Sequence, residues 1–158
     1  MPILLCRVDD RLIHGQVVIG WGRPLDLERI ILVDDDVARN DWEQDLYRMA
    51  VPDGIGVEFA GTADAVAALE QWQVSPLRSA VLTGNLQTMA QLQAAAPQTV
   101  RRINLGGIHH QPGRTERLPY LYLTDAEMAE LRLLASRGAA VTAQDVPTAV
   151  AVPLSDIK

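Results

Sequence analysis

The sequence predicts an α/β domain built on a mainly parallel, open sheet of about seven strands, the last one antiparallel, with helices on both faces. Short apolar runs almost free of polar residues recur along the chain, as strands buried on both faces require. Between them lie segments whose apolar residues are spaced by three and four, the period of a helix with one buried stripe. The two patterns alternate, which marks βαβ units, and right-handed crossovers then place helices on both faces. No internal repeat, low-complexity tract or linker divides the chain, so residues 1–158 read as one domain.

Ile3–Val8 is the first buried strand. Residues 15–21 read as a helix, ended near Gly22 and Pro24. Arg29–Val33 is a second buried strand and runs into Asp34, Asp35 and Asp36. Asn40 can cap the next helix, with Glu43 three residues on. In that helix Trp42, Leu46 and Met49 form one apolar stripe, and Pro52-Asp53-Gly54 stops it. Gly56–Ala60 is a weaker third strand, and Thr62 starts a helix with Val66, Leu69 and Trp72 on one face. Ser79–Thr83 is the fourth strand. Leu86–Ala95 follows as a helix, with Leu86, Met89 and Leu92 spaced by three and Pro97 just past its end. Arg102–Leu105 is the fifth strand, ending at Gly106-Gly107, and a loop with His109, His110, Pro112 and Gly113 leads to a sixth strand over residues 120–123. Thr124 and Glu127 form a capping box, Met128, Leu131, Leu134 and Ala135 an apolar face, and Gly138 suits the helix end. Residues 140–144 read as the last strand, and Pro147 and Pro153 mark an irregular tail.

In an open α/β sheet, ligands bind beyond the carboxyl ends of the strands. The loops gathered there are residues 9–14, residues 34–36, residues 106–113 and Thr83-Gly84. The first is the richest, carrying Asp9, Asp10, Arg11 and His14 directly after Arg7. A neutral imidazole can attack phosphorus. A helix start offers unpaired N–H groups to the phosphoryl oxygens, and Gly15 removes a side chain where the backbone would approach them. Arg11 supplies a guanidinium fork that fits phosphoryl oxygens and neutralises their charge. Asp10 can orient His14 or hold Arg11, while Arg7 and Asp9 can form a structural ion pair. His14, Arg11 and Asp10 are therefore the candidate catalytic residues. Arg7, Ile13, Gly15, Gln16, Asp34 and Thr83 are the candidate phosphate pocket.

Other chemistries find less support. The formal net charge of −6 lacks the basic footprint of a nucleic-acid binder. His109 and His110 are adjacent and point to opposite faces of an extended chain, with no third ligand evident, so no metal is expected. Asp34, Asp35 and Asp36 suit helix capping better than magnesium. There is no G-x-x-x-x-G-K-S/T loop, no G-x-G-x-x-G turn after the first strand and no G-x-S-x-G elbow. The single cysteine, Cys6, lies in an apolar run and reads as a small buried residue. No signal peptide and no apolar stretch of roughly 20 residues is evident, so a cytoplasmic protein that meets a membrane only through a partner is expected.

The stretch Arg7-Val8-Asp9-Asp10-Arg11-Leu12-Ile13-His14-Gly15-Gln16-Val17 resembles the active-site signature of subunit IIB in the mannose/fructose/sorbose class of the bacterial sugar phosphotransferase system. Val33-Asp34-Asp35-Asp36-Val37-Ala38, Ala50-Val51-Pro52-Asp53-Gly54-Ile55, Ile103-Asn104-Leu105-Gly106-Gly107-Ile108-His109 and Gln144-Asp145-Val146-Pro147 resemble further family motifs in the same order. Leu105 and His110 depart from the valine and the aromatic residue more usual there. The resemblance implies that His14 takes a phosphoryl group, through Nδ1, from a phosphohistidine of subunit IIA. It then passes the group to a sugar brought through the membrane by subunits IIC and IID, with no metal or nucleotide cofactor in the histidine-to-histidine step. Arg11 and Asp10 match the family's pocket positions. It also implies peripheral association with the inner face of the membrane through IIC and IID. Arg7, Arg11 and Arg23 are candidate docking residues around the site. The same loop fits a regulatory phosphocarrier whose phosphorylation state controls another protein, and the chain is compatible with a homodimer.

Overall fold

The computed structural model describes residues 2–158, apart from the side chain of Gln16. Its strands are β1 (Ile3–Val8), β2 (Arg29–Val33), β3 (Gly56–Ala60), β4 (Ser79–Thr83), β5 (Arg102–Leu105), β6 (Thr115–Leu118), β7 (Leu121–Leu123), β8 (Ala140–Ala143) and β9 (Val152–Pro153). A 7-stranded sheet runs in the order β3-β2-β4-β1-β5-β8-β9. Every neighbouring pair in it is parallel except β8 and β9. The helices are α1 (Asp41–Ala50), α2 (Thr62–Val74), α3 (Leu86–Ala95) and α4 (Asp125–Ser136).

Strand alternation divides the interior into two cores. Ile31, Val33, Val81, Cys6 and Val8 face one side, where α2, α3 and α4 bury Leu69, Trp72, Met89, Leu92, Met128 and Leu131. Ile30, Leu32, Ala80 and Leu82 face the other, where they meet Ile13, Val17, Val18, Leu27 and Val37. A register irregularity between Ile3 and Leu5 lets Ile3 share a face with Cys6 and Val8. Arg7 then points toward the second face.

Local signals set the helix starts. Asn40 and Asn85 each accept a hydrogen bond from the N–H three residues on, Glu43 and Thr88, and Thr124 with Glu127 forms the full capping box. Gly138, at φ +99°, ends α4. Asp35 caps α2 from a neighbouring loop, accepting from the Thr62 N–H at 2.7 Å and Thr62 Oγ1 at 3.2 Å.

The sheet is seven-stranded and mainly parallel with an antiparallel last strand, as expected, but its membership differs. Residues 121–123 pair with β6 in a separate antiparallel hairpin, tied to the rest by the Ile108–Leu121 bridge. Arg117 holds it closed by donating to the Leu123 carbonyl at 3.0 Å. The antiparallel strand is β9, in the expected irregular tail, where Pro153 is tolerated because the strand lies at the sheet edge. Residues 140–143, expected as the last strand, pair parallel to β5.

The helix expected after the first loop is present as a π-helical turn, Gln16–Trp21. Two other helical expectations change. The stripe of Trp42, Leu46 and Met49 faces solvent, and α1 buries none of its residues. Gln44 and Tyr47 turn inward instead: Gln44 Nε2 donates to the Val37 carbonyl at 2.9 Å, and the Tyr47 ring lies 6.3 Å from that of Phe59. On α2 the buried face is Ala65, Leu69 and Trp72, and Val66 is exposed. Among the described residues, no helix is long and apolar enough to cross a membrane.

Candidate active site

β1 is the middle strand, so the chain leaves it between the ends of β4 and β5. Both neighbours hold the exit: Asp9 N–H donates to the Thr83 carbonyl at 2.9 Å, and Asp10 N–H to the Gly107 carbonyl at 2.8 Å. Leu12 N–H then closes a turn onto the Asp9 carbonyl at 3.0 Å. Leu12 sits at φ +59°, a left-handed conformation that costs a branched side chain about 1–2 kcal/mol. That turn folds Arg11 and His14 back over Asp9.

Asp9 is fully buried and is the centre of the site. Its Oδ1 accepts from Arg11 N–H at 3.1 Å and Arg11 Nε at 2.9 Å. Its Oδ2 accepts from Arg11 Nη2 at 2.8 Å and Arg7 Nη2 at 3.2 Å, and His14 Nε2 lies 3.5 Å from the same oxygen. Burial alone would raise the Asp9 carboxyl. The His14 and Arg11 contacts and the Arg7 charge outweigh it and hold the carboxyl well below the usual carboxylate range.

Arg7 is buried as completely as Asp9. Burial lowers the pKa of its guanidinium, with Asp9 opposing. Both terminal nitrogens are met, while the buried Nε has no hydrogen-bond partner among the described residues. Nη1 donates to Asn104 Oδ1 and, at 2.7 Å, to the Gln144 carbonyl, while Nη2 donates to the Asp145 carbonyl at 2.8 Å. The Trp21 ring lies against it at 5.0 Å, and Trp21 Nε1 donates to the same Asp145 carbonyl at 3.2 Å. Arg11 is nearer the surface, its side chain 28% exposed, and also pairs with Asp145 at 3.3 Å. Its contact with Asp9 raises its pKa further. Gly106 and Gly107 leave room for this arrangement. A Cβ at Gly106 would overlap Arg7 and Asp9 Oδ2, and one at Gly107 would stand 2.9 Å from Arg11 Nε.

The structure thus places Asp9, and not Asp10, in side-chain contact with Arg11 and His14. Asp10 faces the loop after β5: its Oδ2 accepts from His109 N–H at 2.7 Å, and His109 Nδ1 lies 2.5 Å from its Oδ1. Of the other candidate pocket residues, Ile13 is buried in the second core. Thr83 lies under the loop through its carbonyl, and its hydroxyl donates to the Asn85 carbonyl at 2.9 Å. Asp34 is occupied within its own loop, accepting from the N–H groups of Asp36 and Val37 at 2.9 Å. Gly15 is exposed in ordinary right-handed helical conformation, and an added Cβ there would meet nothing within 4 Å. The side chain of Gln16 lies outside the described part. The π-helical turn that follows has only six residues, so its dipole adds less than a full helix would. Arg23 is exposed.

Residue types alone missed Trp21, Asn104 and Asp145 as partners of the site arginines, and His109 as the partner of Asp10. The one available signal for the first group was a fully buried arginine on a central strand, which must find acceptors from neighbouring strand ends.

Chemically, the site holds an imidazole at the mouth of a buried Arg-Asp-Arg cluster. One ring nitrogen faces a carboxylate, and a guanidinium stands close by. An imidazole nitrogen with a cation beside it can carry a phosphoryl group. Residues 3–157 match the family described as PTS system sorbose subfamily IIB component, PTS being the sugar phosphotransferase system. The chain is 29% identical over 156 residues to the N-acetylgalactosamine-specific phosphotransferase enzyme IIB component 1 of Escherichia coli (strain K12), covering 92% of this chain and 91% of that protein. It is 30% identical over 158 residues to the sorbose-specific EIIB component of Lacticaseibacillus casei, covering 99% and 93%. The IIBSor domain of the sorbose permease from Klebsiella pneumoniae superposes with a TM-score of 0.89 at 29% identity, over 99% of this chain and 96% of that one. With the match running from β1 through the last turn, the chain belongs to the sorbose-subfamily IIB components of the sugar phosphotransferase system, the phosphotransferases that carry a phosphoryl group from IIA toward sugar.

Proposed function

We propose that His14 is the phosphorylated residue and that it reacts through Nδ1. The supporting observation is the 3.5 Å approach of His14 Nε2 to the buried Asp9 carboxylate. A carboxylate at Nε2 favours the tautomer with its proton there, which leaves the lone pair on Nδ1. That lone pair attacks the phosphorus of a phosphohistidine on IIA. The N–P bond on IIA breaks as the new one forms, and the electron pair returns to the leaving imidazole. In the second step a hydroxyl of a mannose/fructose/sorbose-type sugar, brought by IIC and IID, attacks the same phosphorus; the His14 N–P bond breaks, its electron pair returns to Nδ1, and the hydroxyl proton is released to solvent. Arg11 offsets the charge on the equatorial oxygens, while Asp9 steadies the ring. Arg7 acts through Asp9 as a positioning residue. The protein works in the cytoplasm, at the membrane face only through its partners.

The test is transfer of labelled phosphate from phospho-IIA to wild type and to His14→Ala. The variant is expected to keep its circular dichroism spectrum and take up no label. Alkaline mass spectrometry should place the wild-type phosphate on His14. Label still reaching the folded variant would overturn the assignment.

A further inference from the structure

Helix α1 is the anomaly of the molecule. Its ten residues bury none, and its apolar stripe is turned outward, with Trp42 72%, Leu46 46% and Met49 81% exposed. Large contiguous apolar groups left in water mark contact surfaces more often than chance exposure. The charge around them is as uneven. Residues 34–53 carry seven acidic side chains against two arginines, −5 of the chain's −6. Asp41 and Asp45, both exposed, lie on α1 beside the stripe; Asp45 pairs with Arg48 at 3.1 Å, as Asp36 does with Arg39 at 2.9 Å.

The surface is well placed relative to His14. α1 starts at the carboxyl edge of β2, the edge from which the His14 loop leaves β1. β2 stands two strands from β1, roughly 10 Å at the usual strand spacing. Tyr47 of α1 and the π-helical turn after His14 pack on the same face of the sheet. One large partner can therefore cover both.

We infer that the outward face of α1 docks on the basic cytoplasmic loops of the membrane subunits that bring the sugar, an inference that rests on the phosphocarrier reading above. Cytoplasmic loops of polytopic membrane proteins carry an excess of lysine and arginine, which complements this acidic segment. Trp42 and Met49 supply the apolar anchors that such a contact needs. The bilayer surface is itself anionic and would repel the segment. A second copy in a two-fold contact would set the acidic segment against itself.

The test uses the full chain and vesicles carrying the matching membrane subunits, with vesicles of the same lipid without them as control. The variants are Trp42→Ser/Met49→Ser and Asp41→Lys/Asp45→Lys, all at exposed positions. Both are expected to weaken co-sedimentation with loaded vesicles at least tenfold. Both should raise the KM for transfer to sugar while kcat at saturation holds, and leave phosphorylation by soluble IIA unchanged. Unchanged vesicle binding would overturn the inference. So would slowed phosphorylation by IIA with vesicle binding intact, which would assign the surface to IIA. Equal binding of wild type to bare vesicles would assign it to lipid. A shift from dimer to monomer with vesicle binding intact would assign it to a second copy. A wild type that takes no phosphate on His14 sinks the phosphocarrier reading, and the co-sedimentation arm still reads the docking surface by itself.

Discussion

Asp9 lies between two guanidinium groups and an imidazole, and its single charge serves all three. Replacing it with asparagine leaves Arg7 buried beside a neutral amide. By the usual cost of breaking a buried ion pair, Asp9→Asn should lose about 3 kcal/mol in urea denaturation. The same charge makes stability depend on pH. Its folded pKa is depressed, so between the folded and unfolded values the unfolded chain binds the extra proton. The contribution is complete above the unfolded carboxyl value of about 3.9 and is lost as pH falls through the lower folded value. Acid titration should show wild type losing stability steeply below about pH 4 and Asp9→Asn losing less; equal slopes would remove Asp9 from this role. Gly15 is the converse case. Neither its conformation nor its surroundings demand a glycine, so Gly15→Ala should melt within about 0.5 kcal/mol of wild type yet accept phosphate more slowly. Unchanged transfer would show that nothing approaches closely there. Of these residues, His14 and Arg11 were legible as members of one polar loop at the carboxyl edge of the sheet. Choosing Asp9 over Asp10 required the turn at Leu12, and a leucine at positive φ has no signature in residue type.

At the scale of elements, the site is two loops tied together. Asp10 grips both the N–H and the ring of His109, and Asp10 N–H reaches back to Gly107. If this tie positions Arg11 over the Gly106-Gly107 ledge, Asp10→Ala and His109→Ala should each slow phosphorylation. The double variant should be little worse than either single one. A double-mutant cycle on the transfer rate checks this, and fully additive effects would mean the two residues act separately. The buried strands β1, β2 and β4 were legible because a largely apolar run on a central strand has few alternative readings, whereas β5, Arg-Ile-Asn-Leu, is half polar. The hairpin of β6 and β7 was half legible: Leu121 and Leu123 alternate inward, but Thr115–Leu118 is half charged and gives no apolar signal. The outward stripe of α1 was legible as a pattern and not as a direction. Periodicity says that a helix has an apolar face, while tertiary packing decides what that face meets.

Across the whole molecule, the two cores share the central strand, and Cys6 lies in the first of them. Burial pushes its thiol up to about 12, so the reactive thiolate scarcely forms while the chain is folded. Iodoacetamide at pH 8 should therefore leave native protein unmodified and label it quickly past the urea midpoint. Fast labelling of folded protein would show that β1 is locally open. Strand order was the least legible feature, since alternation of β and α fixes the layers without fixing which strands become neighbours. That order has a consequence in time. Arg7 is translated before the Gln144 and Asp145 carbonyls that receive its guanidinium, which follow 137 and 138 residues later. At about 5–20 residues per second, that is a wait of roughly 7–30 s on the ribosome. Through that interval β1 can pair with β4, and the guanidinium can meet Asp9 and Asn104, but not the two carbonyls that complete its shell. β1 is thus completed by the loop after the last parallel strand, and a fully enclosed Arg7 marks a chain whose synthesis has passed residue 145.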